Sequence, residues 1–274
     1  MRLIAALLVA CLLAGCSMVR LAYESADSYL RYRAGAYLDV HGEQADELDA
    51  AIDAFHDWHR KQALPQYARL AGEAAQRVDD GLTPEDLVWG YDSLIAQTRI
   101  GLREGAQRIA PLLGRLDAQQ IAHIESRLAE ENRRFEKEFL RGTEGARRER
   151  RAERIVKRLE DWVGRLSQAQ VERVRQYSAR APLLAEMRLR EHQRVQAAGL
   201  ELLRAGKIEG LPEFVAYWDR GRDPAYAAGI EASRRELFAL LLDLDRTLAP
   251  GQRAQAVANL QRYAADFRQL SEKR

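Results

Sequence analysis

The chain has 274 residues and a formal net charge of +2, with 43 basic and 41 acidic side chains. A nucleic-acid-binding protein would carry a marked basic excess, so this balance argues against nucleic acid as a partner. Hydrophobic residues make up 47% of the chain, which is enough for the core of one large domain or two small ones.

The first residues, MRLIAALLVACLLAGC, have the layout of a secretory signal peptide. Arg2 supplies a positive start, an apolar run follows from position 3 to position 13, and two small residues precede Cys16. The run is shorter than the roughly 20 residues that span a bilayer, which argues against a transmembrane anchor. We therefore expect residues 1–15 to be a cleaved signal peptide and residues 16–274 to form one helical periplasmic domain.

The segment LAGC at positions 13–16 resembles a bacterial lipobox. The resemblance implies that the Cys16 thiol receives a diacylglyceryl group, that cleavage leaves Cys16 as the first residue, and that its amine is acylated. Two or more acyl chains anchor a protein stably, at about 0.8 kcal/mol per buried CH2. Ser17, where an Asp would favour the inner membrane, implies anchoring in the outer membrane of a Gram-negative bacterium, facing the periplasm. The inner membrane remains the alternative.

The two cysteines of the chain lie at positions 11 and 16. Cleavage would remove Cys11 and acylation would occupy the sulfur of Cys16, so the mature chain would contain neither a free thiol nor a disulfide. This excludes a cysteine nucleophile and a thiolate metal site. We expect no cofactor.

The rest of the chain has helical rather than strand periodicity. Ala, Leu, Arg, Glu and Gln dominate, and apolar residues recur three and four apart, as in the stripe of Ile155, Leu159 and Trp162. We predict an all-α fold, a single elongated or curved bundle of about ten helices. Prolines stand where helices could start, at positions 65, 84, 182, 224 and 250.

One local pattern recurs as LTPEDL, LDAQQI, LSQAQV and LAPGQR, starting at positions 82, 116, 166 and 248. In the first three copies a capping residue is followed three residues later by a side chain that can reach back to it. The pattern predicts capping boxes at three helix starts. The predicted pairs are Thr83 with Asp86, Asp117 with Gln120, and Ser167 with Gln170. The fourth copy is degenerate because Ala249 has no capping oxygen.

The recurring pattern also resembles the LTxxQ repeats of small all-helical periplasmic chaperones. Longer stretches, namely VRLAYESADSYL, WHRKQALPQYARL, LAEENRRFEKEFL and RRAERIVKRLEDWVGRLS, resemble a proteobacterial family of all-helical lipoproteins of unknown function. This second resemblance covers nearly all of residues 13–270. It implies a lipid-accepting Cys16 and carries no catalytic residue to this chain.

The segment DAFHDWHR contains the candidates for a metal site. His56 and His59 lie three residues apart on a predicted helix and could share a metal ion with Asp53. Two imidazoles at this spacing supply half of a site, and the chain offers no clear second His/Glu pair. The alternative, which we favour, is that these polar side chains flank Phe55 and Trp58.

Glu130, Glu131 and Asn132 fall where an apolar stripe passes from Leu128 to Phe135, so a polar group could face inward. A buried structural hydrogen bond is the first interpretation, since buried polar groups are usually paired. A polar cleft of a binding site is the alternative.

The basic run RRERRAERIVKR at positions 147–158 is interrupted by acidic residues, which favours a solvated helix over contact with lipid head groups.

Close to the predicted anchor, Tyr23 and Tyr37 share an apolar stripe and are expected in the core. Tyr29 and Tyr32 lie off that stripe, so we predict that they contact the membrane interface or a partner.

The chain lacks the common catalytic and nucleotide-binding signatures. We therefore expect a non-enzymatic outer-membrane lipoprotein that binds a protein partner or maintains the envelope through grooves between its helices. The alternative is an envelope enzyme or ligand binder that acts on peptidoglycan or lipid. An apolar exposed groove would favour the first, and a polar pocket with carboxylates of shifted pKa would favour the second.

Overall fold

A computed structural model describes residues 18–273, without the side chains of Met18 and Leu21. This part of the chain is a bundle of helices without a strand, which confirms the predicted all-α class. It has ten helices of seven or more residues when the continuous segment from Glu43 to Asp80 is taken as one, close to the predicted number. The predicted signal peptide and Cys16 lie outside the described residues.

The helices are α1 (Met18–Glu24), α2 (Ala26–Leu38), α3 (Glu43–Trp58), a π-helical turn (His59–Ala63), α4 (Leu64–Asp80), α5 (Pro84–Leu113), α6 (Ala118–Phe139), α7 (Glu144–Val163), α8 (Gln168–Arg180), α9 (Ala185–Arg204), a 3₁₀ turn (Ile208–Gly210), α10 (Leu211–Ala216), α11 (Pro224–Asp245) and α12 (Pro250–Glu272).

The three predicted capping boxes are confirmed at the starts of α5, α6 and α8. In the second box, the backbone N–H of Gln120 donates to Asp117 Oδ1 at 2.8 Å, and the side-chain Oε1 of Gln120 accepts from the backbone N–H of Asp117 at 3.0 Å. Each cap contributes about 1 kcal/mol to helix stability. These helices therefore start where local chemistry places them.

Three of the five prolines are at the first position of a helix that follows a connection, as predicted, whereas Pro65 is the second residue of α4 and lies inside the continuous segment from Glu43 to Asp80. The expectation was wrong for Pro182, which lies in the connection before α9. Pro111 lies within α5, two residues before its end.

The starts of distant helices are tied together by pairs of glutamine amides. Gln170 Nε2 donates to Gln252 Oε1 at 3.0 Å, and Gln252 Nε2 donates back to Gln170 Oε1 at 3.1 Å. Gln120 and Gln44 form a second reciprocal pair, with distances of 2.7 and 3.4 Å. The same glutamines that complete two capping boxes thus also join those helix starts to another part of the bundle.

Helices α4 and α12 pack along each other in antiparallel orientation. Arg253, near the start of α12, donates to the carbonyl of Val78, near the end of α4. Phe267, near the end of α12, contacts Tyr67, with 5.9 Å between ring centroids. The short α1 lies on the same end of α12, where Arg20 Nε is 3.3 Å from Asp266 Oδ1.

Two clusters of buried side chains form the core. One joins α2, α3, α5, α6 and α9, and the other joins α7, α8 and α11. The first includes Leu48, Ile52, Leu112, Ile124 and Leu200, and the second includes Val174, Tyr177, Leu240 and Leu244. Among the described residues, no helix is long and apolar enough to cross a bilayer.

Candidate functional site

An apolar groove opens between α4 and α12 on one side and α5 on the other. Helices α4 and α5 are joined by a short turn but make few contacts with each other, whereas α4 packs closely on α12. The space between them has a volume of about 580 Å³. This volume is in the range of sites that bind small ligands or side chains of a partner.

Aromatic rings form much of the groove wall. Trp162, from the end of α7, stacks on Tyr263 with 5.4 Å between ring centroids, and Tyr263 contacts Phe267 at 6.1 Å. Tyr263 and Phe267 are four residues apart and share one face of α12, and Trp162 of α7 extends this row of rings. The apolar lining consists of Tyr67, Leu70, Ala71, Ala74, Trp89, Leu94, Trp162, Leu260, Tyr263 and Phe267.

Two large hydrophobic side chains at the groove are exposed to solvent. Leu94 is 70% exposed and Trp162 is 40% exposed. Further along α5, Ile100 and Leu102 are also exposed. Exposed apolar surface at the rim of a groove marks interaction sites in soluble proteins.

The polar side chains of the groove are few and uncharged. Ser93, Gln97 and Thr98 line it from α5, and the Thr98 hydroxyl donates to the carbonyl of Leu94 at 2.7 Å. None of the described residues that line the groove is a carboxylate, a histidine or a basic residue. The lining therefore suits binding of an apolar group.

The groove residues were not singled out in the sequence, although α5 gave a signal. This helix carries apolar side chains on more than one face, at Leu87, Val88, Leu94 and Ile95. Such a distribution is typical of a helix that contacts protein on several sides. The contribution of Tyr263 and other α12 residues could not be inferred locally, because it depends on the packing of α12 against α4.

A chain of rings connects the groove to α1. The Tyr23 hydroxyl is 3.1 Å from His59 Nδ1, and the His59 ring lies 5.4 Å from Tyr67 in the groove wall. The π-helical turn starts at His59, and such turns are frequent at functional sites. Burial, with a smaller contribution from the charge of His56, lowers the pKa of His59 to about 4.

The three candidate metal ligands have other partners in the structure. Asp53 pairs with Arg31, and His56 stacks on Tyr23 with 4.6 Å between ring centroids. The imidazole of His59 faces the Tyr23 hydroxyl. Residues 18–273 contain no group of three His, Cys, Asp or Glu side chains placed to hold a metal ion.

Glu130, Glu131 and Asn132 are engaged in contacts between helices and within α6. Asn132 Nδ2 donates to Gln196 Oε1 at 2.7 Å, which links α6 to α9. Glu130 pairs with two arginines of its own helix, and Glu131 pairs with Arg33 of α2. The inward polar group of this segment is thus a structural hydrogen bond.

The tyrosines of α1 and α2 differ in exposure in the expected direction, although neither Tyr23 nor Tyr37 is fully buried in the core. Tyr29 is 61% exposed and Tyr32 is 74% exposed, whereas Tyr23 and Tyr37 are half-buried. Contact of Tyr29 and Tyr32 with a membrane or a partner remains a prediction.

The basic run of α7 is not simply solvated. Arg148 donates to the carbonyls of Ser178 and Ala181 at 2.7 and 2.9 Å, and Arg151 donates to those of Ala181 and Pro182. The two guanidinium groups thereby satisfy carbonyls at the end of α8, which have no partner within their helix. Local charge alternation does not reveal this tertiary role.

Residues 36–214 match DUF6279, a family of unknown function. The matched segment contains the groove residues of α4, α5 and α7, whereas α12 follows it. No curated protein and no solved structure matches the chain. Because the match covers more than half of the chain, the protein belongs to the DUF6279 family of unknown function, in agreement with the resemblance to an uncharacterised all-helical family.

Proposed function

We propose that this protein is a lipid-anchored, non-enzymatic module of the bacterial envelope that binds an apolar helical segment of a protein partner in the groove between α4, α5 and α12. The observation that carries the proposal is the groove itself, with its aromatic wall and exposed rim. Anchoring through Cys16 in the outer membrane, facing the periplasm, is the second part of the proposal and is supported by the lipobox-like segment at positions 13–16.

The shape of the groove favours a helix as its occupant. Trp89 and Thr98, nine residues apart on α5, both line it, so it extends for about 14 Å at 1.5 Å per residue. An amphipathic helix of two to three turns can place residues i, i+3, i+4 and i+7 along such a groove. A single acyl chain would leave Leu94 and Trp162 on the rim in contact with water, whereas a helix would cover them.

The position of α1 brings this groove close to the proposed anchor. The described chain begins at Met18, two residues after Cys16, and α1 is seven residues long, or about 10 Å. Tyr23 near its end contacts His59, which contacts Tyr67 of the groove. Acylation of Cys16 would therefore hold one end of the groove close to the membrane surface, within reach of a partner segment at that surface.

The groove supports binding rather than catalysis. The alternative of an envelope enzyme would need carboxylates or other titratable groups in a polar pocket. Glu130, whose pKa is lowered chiefly by its hydrogen bond to Arg134, lies on α6 and does not line the groove.

Thiol protection in intact cells tests whether the groove is occupied. Because the mature chain would contain no cysteine besides Cys16, Leu94→Cys introduces a single reactive thiol at the groove rim. The reagent is a maleimide that crosses the outer membrane but not the inner membrane. We expect it to label this thiol much more slowly in cells than in the purified protein, because the partner covers the thiol.

Gln107→Cys is the matched control, because Gln107 is exposed on the same helix but about 220° around its axis from Leu94. Its labelling rate should be the same in cells and in the purified protein. Equal rates for position 94 in the two settings would show an unoccupied groove and would contradict the proposal. Adding Leu260→Glu should restore fast labelling at position 94 by expelling an apolar occupant.

A further inference from the structure

A second cavity, which shares no lining residue with the groove, is lined by arginines. It has a volume of about 230 Å³ and lies between the end of α6, the first half of α7 and the start of α9. Arg147, Arg151 and Arg154 are spaced four and three residues apart and therefore share one face of α7, and Arg188 comes from α9. Four guanidinium groups thus line one small cavity.

Carboxylates do not balance this charge. Arg147 Nη1 pairs with Glu186 Oε1 at 3.1 Å, and Glu186 is 62% exposed at the edge of the cavity. Arg154 and Arg188 form no ion pair with any residue in the described part of the chain. Arg151 donates to Ser178 and to backbone carbonyls, which leaves its full positive charge.

The net positive potential also acts on groups at the cavity. Burial lowers the pKa of the Arg151 guanidinium; Tyr177 opposes this shift, and the charges of Arg148 and Arg154 add smaller contributions to it. Burial also lowers the pKa of the neighbouring His192, and the charge of Arg188 adds to the effect. Placing cations this close together has a cost in stability that a bound anion would offset.

The rest of the cavity wall suits an anion that carries an apolar part. Phe135, Phe139 and Tyr177 form an aromatic side of the cavity, and the Arg154 guanidinium carbon lies 5.6 Å from the centroid of Phe139. Ser233 of α11 adds a hydroxyl. Stacking on rings holds a guanidinium group in place and leaves its edge N–H groups free for an anion.

We propose that this cavity is a binding site for a phosphate group, taken from a small organic phosphate or from a phospholipid head group. Guanidinium groups bind phosphate through paired N–H donors. Arg154 and Arg188, which line the cavity from two helices and are exposed to solvent, can both reach a tetrahedral, multiply charged anion. The proposal is independent of the groove and of the acylation of Cys16.

Titration with inorganic phosphate at low ionic strength, followed by calorimetry, tests the site in the purified protein. We expect saturable binding with one phosphate per chain, and Arg154→Gln together with Arg188→Gln should weaken it about tenfold or more. Arg190→Gln is the matched control, because Arg190 is exposed on α9 only two residues from Arg188 but about 200° around the helix. It should leave phosphate affinity within about twofold of the wild type.

Vesicles with and without an anionic phospholipid distinguish the two sources of phosphate. If the Arg154/Arg188 double variant binds anionic vesicles more weakly than the wild type, the site binds a lipid head group. If vesicle binding is unchanged in the double variant while phosphate binding is weakened, the site binds a soluble phosphate. If neither probe binds, or if both bind equally well to the double variant, the proposal is wrong. Arg188→Lys, which keeps the charge but not the paired donors, should have an intermediate phosphate affinity and guards against a variant that fails to fold.

Discussion

Gln170 and Gln252 are 82 residues apart in the chain, yet their side-chain amides hydrogen-bond to each other in both directions, at 3.0 and 3.1 Å. Gln170 is 1% exposed. It also accepts from the amide of Ser167 in a capping box and donates to the carbonyl of Thr247 at 3.0 Å. One side chain therefore completes the start of α8 and fastens it to the start of α12.

Removing one amide of this pair should destabilise the fold by about 1–3 kcal/mol, because buried partners are left without a hydrogen bond. We expect this loss for Gln170→Ala in urea unfolding. Gln107→Ala, an exposed glutamine on α5, should change stability by no more than about 0.5 kcal/mol. The double variant Gln170→Ala/Gln252→Ala should lose less than the sum of the two single variants, and strict additivity would show that the two amides do not interact.

The start of α12 can be improved by a single substitution. Ala249 occupies the N-cap with φ −65° and ψ 153°, nearly the conformation of Ser167 at the start of α8. Gln252 already reaches back to the Ala249 N–H at 3.0 Å. Ala249→Ser adds the missing hydroxyl and should raise the free energy of unfolding by about 0.5–1 kcal/mol.

Ser167→Ala provides the opposite case and should lower the free energy of unfolding by about 1 kcal/mol. Thermal or urea unfolding of the two variants measures both changes. A destabilised Ala249→Ser variant would show that the start of α12 does not have room for the second half of a capping box.

His59 should make the stability of the protein depend on pH. Its pKa in the fold is about 4, below the ordinary value of about 6.5 in the unfolded chain. Below pH 6.5 the unfolded chain therefore binds a proton that the folded chain does not. The contribution of neutral His59 is complete above pH 6.5 and is lost as the pH falls towards 4.

His59→Gln keeps a hydrogen-bonding group near the Tyr23 hydroxyl and cannot titrate. Between pH 7 and pH 5 we expect the wild type to lose about 1–2 kcal/mol more unfolding free energy than this variant. His41→Gln, at a side chain that is 83% exposed, should keep the wild-type loss. An identical pH dependence in the wild type and His59→Gln would contradict burial of a neutral imidazole.

The two cysteines of the chain, Cys11 and Cys16, provide a matched test of the anchor. We expect Cys16→Ser to abolish metabolic labelling with a fatty-acid analogue and to release the mature protein from the membrane fraction. Cys11→Ser, five residues earlier in the same apolar segment, should leave both unchanged. Labelling that survives Cys16→Ser would refute the lipobox interpretation.

Features fixed by neighbouring residues could be predicted from the sequence, and features that join distant segments could not. Each capping box, at Thr83, Asp117 and Ser167, depends only on two residues three positions apart, and all three boxes are present. The partner of Gln170 is 82 residues away, so its tertiary role had no local signal.

The same distinction applies to the basic run and to the groove. Alternating charges suggested that Arg148 and Arg151 are solvated. The carbonyls to which they donate belong to residues about 30 positions later, so the local sequence does not reveal these contacts. The aromatic wall combines Tyr67 of α4 with Phe267 of α12, which are 200 residues apart. Helical periodicity identified both helices but not their packing.

Photo-crosslinking from the groove in intact cells tests the central claim most directly. A benzophenone amino acid replaces Leu94 in one strain and Gln107 in another, and adducts are analysed by mass spectrometry after irradiation. The account expects a discrete protein adduct from position 94, formed through an apolar helical segment of the partner, which is absent from position 107 and is lost on adding Leu260→Glu. A lipid adduct alone from position 94, or the same adducts from both positions, would contradict the claim that this groove binds a partner helix.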